Sequence, residues 1–146
     1  MIVFVDTNVL LYAQDLRNPE KQSAAEQWLS WCWRSQRGGL STQVLNELYA
    51  NLRRCAPSLA VAEARELIRR YRGWKCWTVD DATVDAAWAL QDRFKLSYWD
   101  ALMVAAAQQM GCTYLLTEDL QHEQHFDNLQ VINPFLTGVA LLEKTK

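Results

Sequence analysis

A chain of 146 residues holds one domain's worth of core, long enough to fold without disulfide or metal staples and too short for two ordinary domains. Its longest uninterrupted apolar run, Ala101 to Ala107, is far too short to span a bilayer, nothing before Asp6 has the form of a secretory leader, and the four cysteines form no CxxC pair. No membrane association is therefore expected, and a cytoplasmic setting with reduced thiols is.

In chain order, Ile2 to Val5 is a continuous apolar run ending at Asp6, the pattern of a buried central strand that delivers its last residue to a site. Asp6 and Asn8 then stand where they can cap the next element of the chain. Asn18 and Pro19, with Glu20 behind them, start a helix that runs to about Gln36 and that Gly38 and Gly39 are expected to end. On it Trp28 and Trp31 share a face while Trp33 points away, leaving one indole for solvent or a partner. Leu40 to Thr42 is too short to assign.

Ser41 or Thr42 caps a helix with Val44, Leu45, Leu48 and Leu52 on its apolar side and Glu47 inside it, stopping before Pro57. Ser58 is the expected cap of the next helix, which ends at Gly73. Lys75 to Val79 reads as a short strand. Asp80 or Asp81 then opens a helix to about Phe94, and Ser97 opens an alanine-rich one closed by Gly111. Thr113 to Leu116 and Leu129 to Ile132 read as strands separated by a polar loop carrying His122 and His125. Residues 136–146, with Lys144 and Lys146, form a tail expected to fray. Strands alternating with helices or helix pairs make an α/β sandwich around a mainly parallel sheet, and right-handed crossovers bring the ends of the first strand and the Thr113 strand to one edge.

That edge gathers acids. Asp6, Asp100 and Asp119 each stand at a helix or turn start, where an Asp alone is explained by capping unpaired backbone N–H groups. Glu47 is mid-helix beside Val44 and Leu48, where a solvated-face explanation fits poorly. Taken together, independent caps have no reason to fall at the ends of two adjacent strands, whereas carboxylates converging on one cleft do, and converged carboxylates call for a cation. Asn8 and Thr117 supply neutral hydrogen bonds that can orient them. Hard oxygen ligands without clustered thiolates suit Mg²⁺ or Mn²⁺ rather than zinc.

The formal charge of −2 is unevenly spread: Arg53, Arg54, Arg65, Arg69, Arg70, Arg72 and Lys75 face only Glu63 and Glu66 in their stretch. Such a basic segment beside an acidic centre suits a polyanionic substrate, and is equally what two solvated helix faces look like. Arg53, Arg54, Arg69, Arg70 and Arg72 are the candidate phosphate contacts, with Trp74 or Trp77 for stacking on a base.

The motifs Asp6-Thr7-Asn8-Val9-Leu10, Asn46-Glu47-Leu48, Ser97-Tyr98-Trp99-Asp100-Ala101-Leu102 and Leu116-Thr117-Glu118-Asp119-Leu120, followed by Val131-Ile132-Asn133-Pro134-Phe135, resemble the PIN domain over residues 1–135. The likeness is nearest to the VapC-type toxin ribonucleases of bacterial toxin–antitoxin pairs. This resemblance implies a PIN-like three-layer sandwich, Mg²⁺- or Mn²⁺-dependent endoribonuclease activity, homodimerisation and inhibition by a cognate antitoxin. It also implies that Asp6, Glu47, Asp100 and Asp119 are the catalytic, metal-holding quartet, with Asn8 and Thr117 as their polar supports. In a two-metal scheme, with ions roughly 4 Å apart, Asp6 and Asp100 would be the principal ligands, Glu47 a direct or water-mediated one, and Asp119 the second-ion side. Glu118 is expected to face outward.

Other classes fit less well. An aspartyl-nucleophile phosphotransferase wants a second acid where this chain has Asn8. His122 and His125 with Cys112 lack a fourth ligand for a transition metal and read as solvated loop histidines. No GxGxxG follows the first strand. The competing reading is a PIN-like module that binds RNA or protein and has lost turnover.

Overall fold

Among the described residues, six short strands form one sheet through the middle of the molecule. In the computed structural model, which describes residues 1–143, β1 (Val3–Val5) lies between β2 (Gly38–Ser41) and β4 (Tyr114–Leu116). Beyond β2 the sheet continues with β3 (Lys75–Trp77), and beyond β4 with β6 (Leu129–Ile132). These pairings are parallel, and the two-residue edge strand β5 (His125–Phe126) runs antiparallel to β6. The flanking helices are α1 (Thr7–Tyr12), α2 (Pro19–Ser35), α3 (Thr42–Cys55), α4 (Val61–Tyr71), α5 (Asp81–Arg93), α6 (Tyr98–Gln109) and the short α7 (Ala140–Glu143). This is the α/β sandwich with a mainly parallel sheet that the alternation of elements predicts. Among the described residues, no helix is long and apolar enough to cross a membrane.

Burial follows the pattern in the sequence. Val3, Phe4 and Val5 are all fully buried, as a central strand covered on both faces must be. Ala101, Ala105, Ala106 and Ala107 are equally inaccessible, and their small side chains let α6 lie close against its neighbours α5 and β2. Ser41, Asp80 and Ser97 cap α3, α5 and α6 by accepting backbone N–H groups of the first turn, and Gly111, at φ 74°, turns the chain out of α6.

Several local expectations are corrected. Helix α2 ends at Gln36, itself left-handed at φ 57°, while Gly38 and Gly39 belong to β2. Glycine is needed there for close approach: a Cβ on Gly38 would stand 2.7 Å from the Trp74 ring and 2.9 Å from Cys32 Cβ. We expect Gly38→Ala to cost about 1–3 kcal/mol through overpacking, read as a lowered urea midpoint with an unchanged slope. An unaltered midpoint would show that Trp74 moves aside freely. The cap of α4 is Ala60 rather than Ser58, with the Glu63 carboxylate accepting from the Ala60 N–H at 3.2 Å.

The loop carrying the histidines contains β5. His122 is not solvated: Nδ1 accepts from the Asn133 N–H at 3.0 Å and Nε2 lies 3.2 Å from the Thr137 hydroxyl. Trp74 is buried against Trp33 and Tyr71, and Trp77 donates to the Thr83 hydroxyl at 2.9 Å, so the Trp74 face is not free for a base. Of the three α2 indoles, Trp28 is buried with its N–H on the Thr137 carbonyl, and Trp33 is exposed. Beyond Phe135, Leu142 on α7 is buried; Lys144 and Lys146 lie outside the described residues.

Candidate active site

From β1 the chain crosses to β2 and β3 on one side, then returns to β4 on the other, so the β1–β4 boundary is the switch point of the sheet, where loops diverge and open a crevice at the carboxyl ends of the strands. Asp6 follows β1, α3 starts directly after Ser41, the last residue of β2, and Thr117 to Asp119 follow β4. The register aligns Val5 with Leu116, so the residues after each emerge side by side, and the Asp6 N–H donates to the Leu116 carbonyl at 3.0 Å.

Asp6 is 6% exposed and fully engaged. One carboxylate oxygen caps α1 through the Thr7 N–H at 2.6 Å, and the other accepts from the Thr117 hydroxyl at 2.8 Å and the Asn8 amide at 3.3 Å. The same Asn8 amide donates to Asp119 at 3.0 Å, and the Asp119 N–H donates to the Thr117 hydroxyl at 3.0 Å. Asn8 and Thr117 thus tie the acid after β1 to the acid after β4. Glu47 reaches the same place from α3: one oxygen accepts from the Thr7 hydroxyl and the other from the Gln43 amide, each at 2.9 Å. Asp100 sits in the first turn of α6, its backbone N–H on the Ser97 cap at 3.1 Å.

Electrostatics show the four acids as one group. Burial pushes the Asp6 carboxyl up to about 7, opposed by the Thr117 and Thr7 hydrogen bonds and reinforced by the charges of Asp119 and Glu47. Burial also raises Asp100, the Ser97 hydroxyl opposes it, and the same two charges, Asp119 and Glu47, add to it. Asp119 and Glu47 therefore act on both of the other acids. Glu118 stands apart, its carboxylate on Lys21 Nζ at 2.7 Å.

Among the described residues, no three His, Cys, Asp or Glu side chains stand close enough to enclose an ion by themselves. A closed, zinc-like cage is thereby disfavoured. An open site is not, because Mg²⁺ keeps several waters and takes only one or two carboxylates from the protein. Three features fit a hard cation here: the side chains are carboxylates, two of them hold protons more tightly than usual because burial, and then the charges of Asp119 and Glu47, disfavour their ionised forms, and the buried Asn8 Oδ1 has no hydrogen-bond partner.

Of the arginines singled out by charge, Arg69 and Arg72 line a groove between α3 and α4, joined by Arg65, which sequence reasoning left out of the phosphate contacts. Arg70 lies instead beside Trp33 and Tyr71, Arg53 donates to the Leu59 carbonyl at 3.2 Å, and Arg54 is exposed on the last turn of α3. Thr7 and Gln43, the two holders of Glu47, were also missed. The i, i+4 spacing of Gln43 and Glu47 on one helix was the available signal for the second.

Fold and site together define a parallel-sheet α/β protein with acids gathered beyond the carboxyl ends of β1 and β4. The chain belongs to the PIN domain family, whose sequence profile matches residues 3–126. No curated protein matches the chain significantly. Among solved structures, it resembles the Mycobacterium tuberculosis toxin VapC20, which cleaves the sarcin–ricin loop, at 20% identity and a TM-score of 0.60, over 77% of this chain and 86% of that one. A toxin–antitoxin complex from Klebsiella pneumoniae matches at 18% identity and a TM-score of 0.61, over 92% and 98% of the two chains. VapBC2 of Rickettsia felis, bound to a DNA fragment from its promoter, matches at 16% and 0.63, over 90% and 97%.

Proposed function

We propose that this PIN domain is a Mg²⁺- or Mn²⁺-dependent endoribonuclease, the toxin of a toxin–antitoxin pair, acting in the cytoplasm as a homodimer restrained by a cognate antitoxin. The observation that carries the reading is the convergence of Asp6, Glu47, Asp100 and Asp119 on the switch-point crevice, held by neutral donors that add no charge of their own. PIN nucleases generally use divalent metals, and the toxin complexes among the structural neighbours support the antitoxin partner.

In this reading Asp6, Asp100, Glu47 and Asp119 hold the cation, which when bound neutralises phosphate charge and makes water more acidic. The remaining work of the chain is positional. Thr7 and Gln43 set the direction of Glu47, Thr117 and Asn8 fix Asp6 and Asp119, and the Ser97 cap fixes the turn that carries Asp100. In-line attack by water on the phosphodiester leaves a 5′-phosphate and a 3′-hydroxyl.

The absence of a three-ligand cluster among the described residues is the observation that favours the rival, a PIN module without turnover. A metal titration with a generic single-stranded RNA separates the two. Cleavage should rise with Mg²⁺ or Mn²⁺ and stop in EDTA, and an intact substrate at every metal concentration would select the rival.

A further inference from the structure

Two cavities meet at Thr42 and Asn46 on α3. One, of about 510 Å³, is walled by Gln43, Glu47, Val79, Trp99 and Leu102. The other, of about 450 Å³, runs between α3 and α4 past Tyr49, Arg65, Arg69 and Arg72. Since Glu47 belongs to both the first cavity and the acidic crevice, the two cavities lead into the candidate active site.

Trp99 is the unusual residue in this track. It is 62% exposed, immediately precedes Asp100, and is braced by the edge of the Tyr98 ring at 5.2 Å. Its backbone carbonyl accepts from the Gln43 amide at 3.1 Å, which ties it to α3. A held but uncovered indole offers a flat apolar face. Further along, Arg65 donates to the Tyr49 hydroxyl at 3.0 Å, and Arg69 shares only an exposed contact with Glu66 at 3.3 Å, so the guanidinium charges stay available.

We propose that this is a track for single-stranded RNA: an unpaired base next to the scissile phosphate stacks on Trp99, while flanking phosphates lie along Arg65, Arg69 and Arg72. The inference rests on the ribonuclease reading and adds which residues of this chain grip the base and the flanking phosphates. A base inside an A-form duplex has no free face to stack, whereas one in a loop or single strand does. The arginines complement a phosphate chain, and the continuity through Glu47 places that chain at the acids, which is why RNA is favoured over a protein occupant.

The test is the affinity of a fluorescent single-stranded octaribonucleotide in Mg²⁺, with every protein carrying Asp6→Asn to prevent cleavage. Trp99→Ala should weaken binding roughly five- to hundredfold, Trp99→Phe should retain most of it, and a blunt duplex of the same sequence should bind weakly and be indifferent to Trp99. Arg69→Gln and Arg72→Gln should each flatten the dependence of log affinity on log salt by about 0.7. Undiminished affinity of Trp99→Ala for the octamer, or no binding of the octamer at all, would overturn the track, as would a Trp99→Ala protein that binds RNA normally but loses a dimer seen by gel filtration. Failure of the wild type to cut any RNA across the metal titration would instead remove the ribonuclease reading.

Discussion

Asp6→Asn is expected to lower RNA cleavage at least about a hundredfold and, in EDTA at pH 8, to leave the protein more stable than the wild type. The loss of activity follows from the position of Asp6 between the other acids; replacing even the outer partners of metal ligands commonly costs 10- to 100-fold. The gain in stability follows from where the charge is buried. The folded protein keeps the Asp6 proton up to about pH 7, whereas the unfolded chain releases it near the ordinary carboxylate value of 3.8. Between those values the folded state carries the extra proton, so stability falls as pH rises, and above pH 7 the full cost, of order 4 kcal/mol, is present. Asparagine removes that cost and can keep the α1 cap, and the cost already includes the hydrogen bonds from Thr117 and Thr7 that favour the ionised form. A gain of up to about 4 kcal/mol is therefore expected at pH 8, and at pH 5, where the folded protein still holds the Asp6 proton, it should shrink to about a third of that. Urea unfolding at the two pH values measures this, and a mutant equally destabilised at both would show that Asp6 is not under electrostatic strain.

Phe4→Ala, two residues earlier and within β1, should act in the opposite direction and cost about 3–5 kcal/mol. Phe4 is completely buried in the central strand, paired in register with Gly39 on one side and Leu115 on the other. The glycine cannot expand to fill the space left, and Leu115 is itself packed. Set against a total stability of about 5–15 kcal/mol for an ordinary domain, such a loss should produce a large drop in the urea midpoint at every pH. A cost below about 1 kcal/mol would mean that the core around β1 repacks freely. The contrast between the neighbouring sites is physical: Phe4 is where the fold gains its stability, and Asp6 is where part of it is given up to hold a charge.

The parts of the architecture readable from sequence were those written in a single local pattern. β1, β4 and β6 are short apolar runs rich in branched residues, and α3, α5 and α6 begin at Ser or Asp caps. Strand β2 was not readable because its glycines serve packing against Trp74 and Cys32, a tertiary reason that locally resembles a helix stop. β5 is two residues held by its partner, and no periodicity exists over that length. Likewise the convergence of Asp6 and Asp119 could be argued from strand ends, and Glu47 joined them through its mid-helix place beside Val44 and Leu48. The donors that hold them could not: Thr7 and Gln43 are neutral residues whose direction depends on how α1 and α3 meet. Trp99 belongs with these, since a Trp at a helix start is ordinarily buried, and only the tertiary arrangement leaves it uncovered.

The claim on which the rest depends is that the switch-point crevice holds divalent cations. Crystals soaked in Mn²⁺ test it directly through anomalous diffraction. The account predicts at least one peak at coordination distance, about 2.0–2.2 Å for a hard octahedral ion, from a carboxylate oxygen of Asp6, with Glu47, Asp100 or Asp119 completing the site directly or through water. Full anomalous signal elsewhere on the protein with none in the crevice would contradict it.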